Sequence, residues 1–513
     1  MSNSDSATTA NAPTDRIQQA FSSGNLRELG HRFADLLGRH MESVQVGAGD
    51  VLNWNEPPDN CRLASGFLDP ASPQQNDSES LADRFETLAT TMLARGHNLH
   101  DPRYIGHQVP ASVPLAGLFD AIGSVTNQVM AVYEMGPWAT AVERSLVDRI
   151  GQAIGFEAGT FAGLVTHGGT LGNMTGLLTA RNVALGDAWE GGLNAAERAP
   201  VLVVQSDSHY SISRTAGMIG IGTQNVVRVR LDKRRRMDPE HLDETLADLR
   251  KKGTPIVAVC ACACATPIGA FDPLPEIAEV CQRHDAWLHV DAAHGGAACL
   301  SDKYRHLIEG LEQADSVVAD AHKMMFVPAL CAFVFYRNRD HRFEAFRQDA
   351  PYLFDPSSPG LAEYDSGMLT PECTKRAASF GLWGIWSLFG QQLFADMVDR
   401  TFDLGRIFYE KLAEAPDFEP LHAPQCNIVA FQYVPDALRD APAESVNQFL
   451  LKLRHALIRS GEYYIVQAKI DGKQALRVTI INPLTTVDHL DGLLDAIRQT
   501  GRMILESITE KRQ

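Results

Sequence analysis

Two stretches of the chain carry residues that could act on one molecule: His289-Val290-Asp291-Ala292-Ala293-His294-Gly295-Gly296 and Asp320-Ala321-His322-Lys323. Each follows a short apolar run, 286–290 and 316–319, with the length and composition of a buried strand. In open α/β sheets, ligands bind at the carboxyl ends of the strands. A lysine there can form a Schiff base with an aldehyde, and an aspartate can hold a pyridine nitrogen protonated. Lys323 and Asp291 together therefore suit pyridoxal 5′-phosphate (PLP). Alone, either residue would more often be a surface charge or a helix cap. Their pairing at neighbouring strand ends carries the reading.

Further segments fit the same ligand. Thr166-His167-Gly168-Gly169-Thr170-Leu171-Gly172-Asn173 joins an apolar run to a helical one. The N–H groups of Gly169 and Thr170 at a helix N-terminus, with the Thr170 hydroxyl, make a phosphate seat. The segment is neither a dinucleotide fingerprint nor a P-loop, because the glycine spacing and the lysine of those motifs are missing. Arg477, in Ala475-Leu476-Arg477-Val478-Thr479, offers a guanidinium fork that fits a carboxylate, against the plainer reading of a strand arginine in a surface ion pair. Cys260, Cys262 and Cys264 alternate within an apolar run. Alternation sets the sulfurs in a row along a strand rather than around one ion, so a buried strand is expected there and no metal site.

These segments together resemble the group II PLP-dependent amino-acid decarboxylases, the family of the glutamate, aromatic amino acid, cysteine sulfinate and diaminobutyrate decarboxylases. The likeness extends over about residues 80–490. Two positions depart from it: Asp320 begins a segment that is usually Asn-Pro-His-Lys, and His294 stands where Tyr or Trp is common. The resemblance implies that Lys323 holds PLP, Asp291 meets the pyridine nitrogen, and Ala293 packs under the ring. It implies that His209, in Ser206-Asp207-Ser208-His209-Tyr210-Ser211, stacks on the ring, and that Thr266 lines the cofactor's edge. His322 would support the phosphate or the Schiff-base side. Asp320 falls near the phosphate, where a carboxylate is repelled, so it is expected to cap a turn or bind Lys323. Arg477 matches an arginine that meets a substrate carboxylate in glutamate decarboxylases. Asp101-Pro102-Arg103-Tyr104-Ile105-Gly106-His107-Gln108 resembles a segment near the substrate pocket, which makes His107 and Gln108 substrate-binding candidates. The polar connection 352–375 resembles a mobile loop whose tyrosine returns a proton to the substrate carbon, and Tyr364 is the candidate.

The elements that must position these residues follow from periodicity. Apolar runs at 163–166, 200–205, 226–230, 255–264, 286–290, 316–319 and 330–336 alternate with helical patterns, which predicts a mostly parallel sheet covered on both faces. Helical patterns at 26–41 and 80–95 flank a loop-like stretch, 53–77, and helical spacing dominates 116–156. Amphipathic helices from 383 to 415 lead into an α+β stretch that ends in a helix over 487–508. By resemblance this is an α/β protein of the type I PLP fold, aspartate-aminotransferase-like, with a mostly parallel large-domain sheet and a small α+β C-terminal domain. The expected division is a disordered tail 1–15, a helical arm 16–105, a large PLP-binding domain 106–385 and a small domain 386–513. The resemblance has the arm wrap onto a second subunit, so a homodimer is expected.

The 513 residues suffice for two or three domains, and the formal charge of −17 argues against a nucleic-acid partner. The single basic run, Lys233-Arg234-Arg235-Arg236, reads as a solvated loop. No apolar run reaches membrane-spanning length, and the N-terminus lacks a basic-then-apolar signal pattern. Nine scattered cysteines fit reduced thiols in the cytoplasm. The expected reaction is α-decarboxylation of a small-molecule L-amino acid to its amine and CO₂. Arg477 favours an acidic substrate such as glutamate, aspartate or cysteine sulfinate. The alternatives are a diaminobutyrate or aromatic substrate, transamination or C–C cleavage on the same fold, and a catalytically silent scaffold. Lys323, Asp291 and His209 together weigh against the last.

Overall fold

The computed structural model describes residues 13–68, 80–186, 188–193, 198–346 and 363–510. Most of the tail expected over 1–15, part of the 53–77 stretch and residues 352–362 of the expected mobile loop lie outside the described residues.

The chain divides into two compact units: Met1–Tyr104 with His455–Tyr464, and Ile105–Arg454 with Ile465–Gln513. In the first, the helices Ser23–Gln45 and Leu81–Arg95 pack together, and Arg32 reaches Glu86 at 3.1 Å. The loop-like stretch contains a helix, Pro57–Gly66. Its prolines occupy the first helical turn, where a missing N–H costs nothing, so the composition that suggested a loop marks a helix start.

The second unit holds both larger sheets. Among the described residues the first has seven strands: β1 (Ala162–Thr166), β2 (Val201–Gln205), β3 (Val226–Val229), β4 (Ile256–Cys262), β5 (Leu288–Asp291), β6 (Ser316–Asp320) and β7 (Ala332–Tyr336). Their order is β1-β7-β6-β5-β4-β2-β3. The pairs from β6 through β5, β4 and β2 to β3 are parallel. Only β7 runs against its neighbours β6 and β1, so the sheet is mostly parallel, as expected. Strands covered on both faces can be apolar throughout. Val-Leu-Val-Val-Gln and Ile-Val-Ala-Val-Cys-Ala-Cys are such strands, and every one of their residues is buried.

The helix Gly169–Leu185 packs across β4, β6 and β7. It approaches closely because its inner face is small. A Cβ on Gly176 would stand 2.9 Å from Cε1 of His289, so only glycine fits there. Leu177 and Leu178 join Val204, Val257, Val318 and Val334 in one core beneath it.

The second sheet, antiparallel with order β8-β9-β11-β10, comprises β8 (Phe418–Pro420), β9 (Ile428–Tyr433), β10 (Val466–Ile470) and β11 (Lys473–Thr479). The long helix Gln392–Glu414 packs on β8 and β9. The basic run is not merely solvated. Arg235 sits between Asp207 at 2.8 Å and Asp471 at 2.6 Å, and Arg236 pairs with Asp232 at 2.8 Å.

Candidate active site

The carboxyl ends of β1, β4, β5 and β6 open into one cavity of about 340 Å³. Its wall includes Gln108, Gly169, Thr170, His209, Thr266, Asp291, Ala293, Asp320, His322 and Lys323, ten of the expected residues. It also includes His167, Gly168, Asn173, Cys264, His294 and Leu330.

The phosphate seat is built by backbone shape. Gly168 adopts φ +104°, which an L side chain rarely takes, and turns the chain from β1 into the helix Gly169–Leu185. No side chain caps that helix, which leaves N–H groups of its first turn for a ligand. A Cβ on Gly169 would lie 2.8 Å from both Asp320 carboxylate oxygens. Asp320 therefore stands directly beside the seat. It precedes the short helix Ala321–Met324 but makes no side-chain cap there. Of the two expected contacts it makes the other: Oδ2 lies 3.1 Å from Lys323 Nζ and 3.6 Å from His322 Nε2. Oδ1 is buried without a partner.

Burial pulls the Lys323 amine down, but Asp320 and then Asp291 outweigh it, so its pKa lies above the ordinary lysine value. His322 is fixed by Nδ1, which donates to the Cys331 carbonyl at 2.8 Å.

Asp291 ends a chain of oriented hydrogen bonds. Trp287 Nε1 donates to Ser316 Oγ at 2.9 Å, and that hydroxyl meets His289 Nδ1 at 2.8 Å. His289 Nε2 donates to Asn173 Oδ1 at 3.0 Å, and Asn173 Nδ2 donates to Asp291 Oδ2 at 2.9 Å. Burial lowers the His289 pKa to about 4, which matches a neutral ring with its proton on Nε2. The backbone N–H of Ala293 takes the other oxygen, Oδ1, at 3.1 Å. The carboxylate is thereby held at one orientation at the cavity wall.

His209 precedes the helix Tyr210–Met218, and its Nδ1 accepts from the Ser211 hydroxyl at 2.8 Å. Burial lowers its pKa, with Asp291 pulling the other way, so it presents a neutral aromatic face. His294, where an aromatic residue was expected by resemblance, is also neutral: burial holds it down at about 3, and Nε2 donates to Asn427 Oδ1 at 2.8 Å.

Three expected residues are not in the wall. Arg477 lies on β11, is 5% exposed, and donates from Nη2 to the Thr266 carbonyl at 2.8 Å, one residue behind the cavity. Burial lowers its pKa to about 10, and its Nε has no partner. His107 is exposed, though partial desolvation and then the Arg477 charge lower its pKa. Tyr364 is further removed. Its ring meets Tyr133 edge-on at 5.7 Å and lies under the Arg144 guanidinium at 4.6 Å.

Burial pushes the Cys260, Cys262 and Cys264 thiols up, which keeps them protonated. Among the described residues no group of three or more His, Cys, Asp or Glu could hold a metal ion. Asn173, Ser211, Ser316 and Trp287 were assigned no role from the sequence. Asn173 closes the segment Thr166–Asn173, Ser211 closes Ser206–Ser211, and Trp287 and Ser316 lie in the two apolar runs, so adjacency to those segments is the signal that could have found them.

The arrangement fits PLP on its own terms. An amine held by one carboxylate lines the cavity, beside a second, fixed carboxylate, a neutral imidazole and an uncapped helix start. The comparisons agree. The model of the pyridoxal-dependent decarboxylase conserved domain matches residues 62–434. An acidic amino acid decarboxylase, GADL1, of Mus musculus is 31% identical over 476 residues, covering 90% of this chain and 84% of that one. An L-2,4-diaminobutyrate decarboxylase of Acinetobacter baumannii is 29% identical, covering 82% and 84%. The crystal structure of mouse CSAD superposes with a TM-score of 0.81 at 27% identity, covering 91% of this chain and 99% of that one. The fold is shared with Oryza sativa TDC solved with PLP and tryptamine, with a TM-score of 0.84 at 21% identity, covering 94% and 99%. With a lysine, a carboxylate and a phosphate seat converging at the strand ends of this fold, the chain belongs to the pyridoxal-dependent decarboxylases and is a PLP-dependent enzyme that decarboxylates an amino acid.

Proposed function

We propose that the protein removes the α-carboxyl group of an acidic L-amino acid. The observation that carries this is Arg477. It is a buried guanidinium with no carboxylate partner among the described residues, one residue behind the cavity wall. A buried charge without a counter-ion is costly, and a substrate carboxylate would supply one. The acidic amino acid decarboxylases of Mus musculus and Bos taurus, at 31% and 32% identity, support the same class. Diaminobutyrate is the second reading, favoured by the Acinetobacter baumannii relative.

PLP, when bound, supplies the aldehyde that captures the substrate amine and the ring that draws electrons from the bond being broken. In our reading Lys323 would hold the cofactor through its Nζ, beside the place where the substrate amine would be received. Asp291 keeps the pyridine nitrogen protonated, and Asn173 with the Ala293 N–H keeps Asp291 in place. His209 would cover one ring face, and Ala293 would pack under the other. Gly169 and Thr170 would seat the phosphate, Thr266 would line the cofactor's edge, and His322 would support the phosphate or the Schiff-base side. Gln108 and Arg477 orient the substrate, with His107 near Arg477. Tyr364 stands outside the wall of its own chain, so we assign the proton returned to the substrate carbon to Lys323, which Asp320 and Asp291 keep charged.

We further infer a homodimer in the cytoplasm. Leu118, Ile122 and Val125 of the helix Pro114–Val125 are 56%, 56% and 62% exposed, a continuous apolar face suited to a second copy. In the N-terminal unit, Phe21 and Met92 are likewise exposed, which fits an arm that buries them on a partner. Nine unpaired thiols suit a reducing compartment.

CO₂ release assayed across acidic, cationic and aromatic L-amino acids tests the substrate class. Highest kcat/KM on an acidic amino acid is expected, and a preference for diaminobutyrate favours the second reading. Lys323→Ala should abolish CO₂ release and the visible absorbance of lysine-bound PLP while leaving the protein folded. Borohydride trapping of PLP on any other lysine would refute the site.

A further inference from the structure

A second cavity, of about 300 Å³, lies at the opposite end of β1 from the first. Ala162 and Gly163, which open β1, line it, whereas the phosphate seat follows Thr166, which closes β1. Four residue steps along a strand separate those ends by roughly 13 Å.

Among the described residues three arginines line this cavity. Arg144 comes from the helix Pro137–Ile154, and Arg339 and Arg342 come from the turn Arg339–Phe343 that follows β7 and is capped by Asn338. All three address one carboxylate oxygen. Glu363 Oε1 lies 2.8 Å from Arg339 Nη2, 3.3 Å from Arg342 Nη2 and 3.5 Å from Arg144 Nη2. Asp148 also lines the cavity, but no described ion pair joins it to these arginines.

Arg342 is 6% exposed, and its Nε–H has no partner. Nε and Nη2 form one edge of the planar guanidinium, the edge that receives two oxygens of a carboxylate or phosphate side by side. Here only Nη2 is engaged, so the fork is half-filled in a place where an unmade hydrogen bond is costly. Burial, followed at a distance by the Arg339 and Arg144 charges, lowers the Arg342 pKa against the larger pull of Glu363 and the smaller one of Asp340. Among the described residues these three guanidinium groups are bonded to one carboxylate, that of Glu363.

We propose that this cavity is a second ligand site, which takes a small oxyanion, phosphate or carboxylate, on Arg144, Arg339 and Arg342 in competition with the Glu363 side chain. A ligand with two oxygens on one centre completes the Arg342 fork and displaces Glu363 Oε1 from the centre of the cluster. None of these residues lines the cofactor cavity, so the proposal stands whatever the substrate.

The test uses the holoenzyme, whose cofactor phosphate already fills its own seat. Inorganic phosphate and, separately, succinate are titrated at constant ionic strength against chloride, with binding read by calorimetry and by the rise in melting temperature. Saturable binding at millimolar concentration or tighter is expected for at least one of them, and the tighter binder identifies the class. Arg339→Gln, at a half-exposed position that folding should tolerate, weakens binding about tenfold through loss of a charged donor. Glu363→Gln tightens it about tenfold, because the internal competitor loses its charge. The absence of saturable binding for both probes, or an affinity unchanged in either variant, overturns the proposal.

Discussion

Asp291 and His209 are tied to the same side-chain amide. Asn173 Nδ2 donates to Asp291 Oδ2 at 2.9 Å and to Ser211 Oγ at 3.0 Å, and the Ser211 hydroxyl meets His209 Nδ1 at 2.8 Å. One residue therefore sets the angle of the carboxylate and of the ring expected to face the cofactor. Asn173→Ala should cut kcat while changing KM little, and should cost about 1–3 kcal/mol of stability because it strands buried polar partners. Steady-state kinetics and urea unfolding check both, and an unchanged kcat would remove Asn173 from the account. Asp291→Asn should retain PLP yet lose turnover by orders of magnitude, because the pyridine nitrogen loses its anionic partner.

His289 makes stability depend on pH in a way a variant can isolate. Burial puts its folded pKa at about 4, below the ordinary 6.5. Between those values the unfolded chain takes up a proton that the folded chain does not, so stability falls as pH falls. The slope reaches about 1.4 kcal/mol per pH unit, and the contribution is complete only above pH ~6.5. His289→Gln lacks this contribution. The stability difference between wild type and variant should therefore shrink from pH 7 to pH 4. His294 and His422, lowered to about 3 and about 4, have the same sign, and Asp272, raised by burial to about 7, has the opposite one. All three are common to both proteins. A difference constant over that range would show that His289 is not buried neutral.

Arg477→Ala separates two uses of the guanidinium. Loss of one partner of a buried Arg–carboxylate pair costs about 3–5 kcal/mol, a factor of roughly 150 to 5,000 in kcat/KM. If Arg477 reads the side chain, acidic substrates suffer and neutral ones do not. If it holds the α-carboxylate, every substrate suffers alike. Tolerance of the change by an enzyme that prefers a cationic amino acid would end the acidic assignment and leave decarboxylation intact.

The apolar face of Pro114–Val125 gives the dimer its own test. Ile122→Asp places a charge at its centre and should shift sedimentation from dimer to monomer at micromolar concentration. A wild type that sediments as a monomer with full activity would refute the homodimer.

Much of the candidate site was legible because its residues sit in local patterns. Asp291, Lys323, Gly169 and His209 each sit at the end of a short apolar run, and a parallel sheet gathers such ends at one edge. The network behind them was not legible. Asn173 meets Asp291 across 118 residues and His289 across 116, and no local pattern encodes such contacts. The direction of β7 was equally hidden, since an apolar run reads the same both ways. Tyr364 was assigned through a loop likeness. What places it is Tyr133 and Arg144, from elements more than 200 residues earlier in the chain, and these hold it outside the cavity.

The pairing of β1 with β7 also has a kinetic consequence. Thr166 and Ala332 are partners 166 residues apart. The proposed phosphate seat follows the first, and the lysine turn precedes the second. Until that long closure is made, the two halves of the cofactor site belong to separate parts of the chain. Contacts of such separation form slowly. During refolding, far-ultraviolet ellipticity should therefore recover before the visible absorbance of lysine-bound PLP, and cofactor uptake would time the last step of assembly.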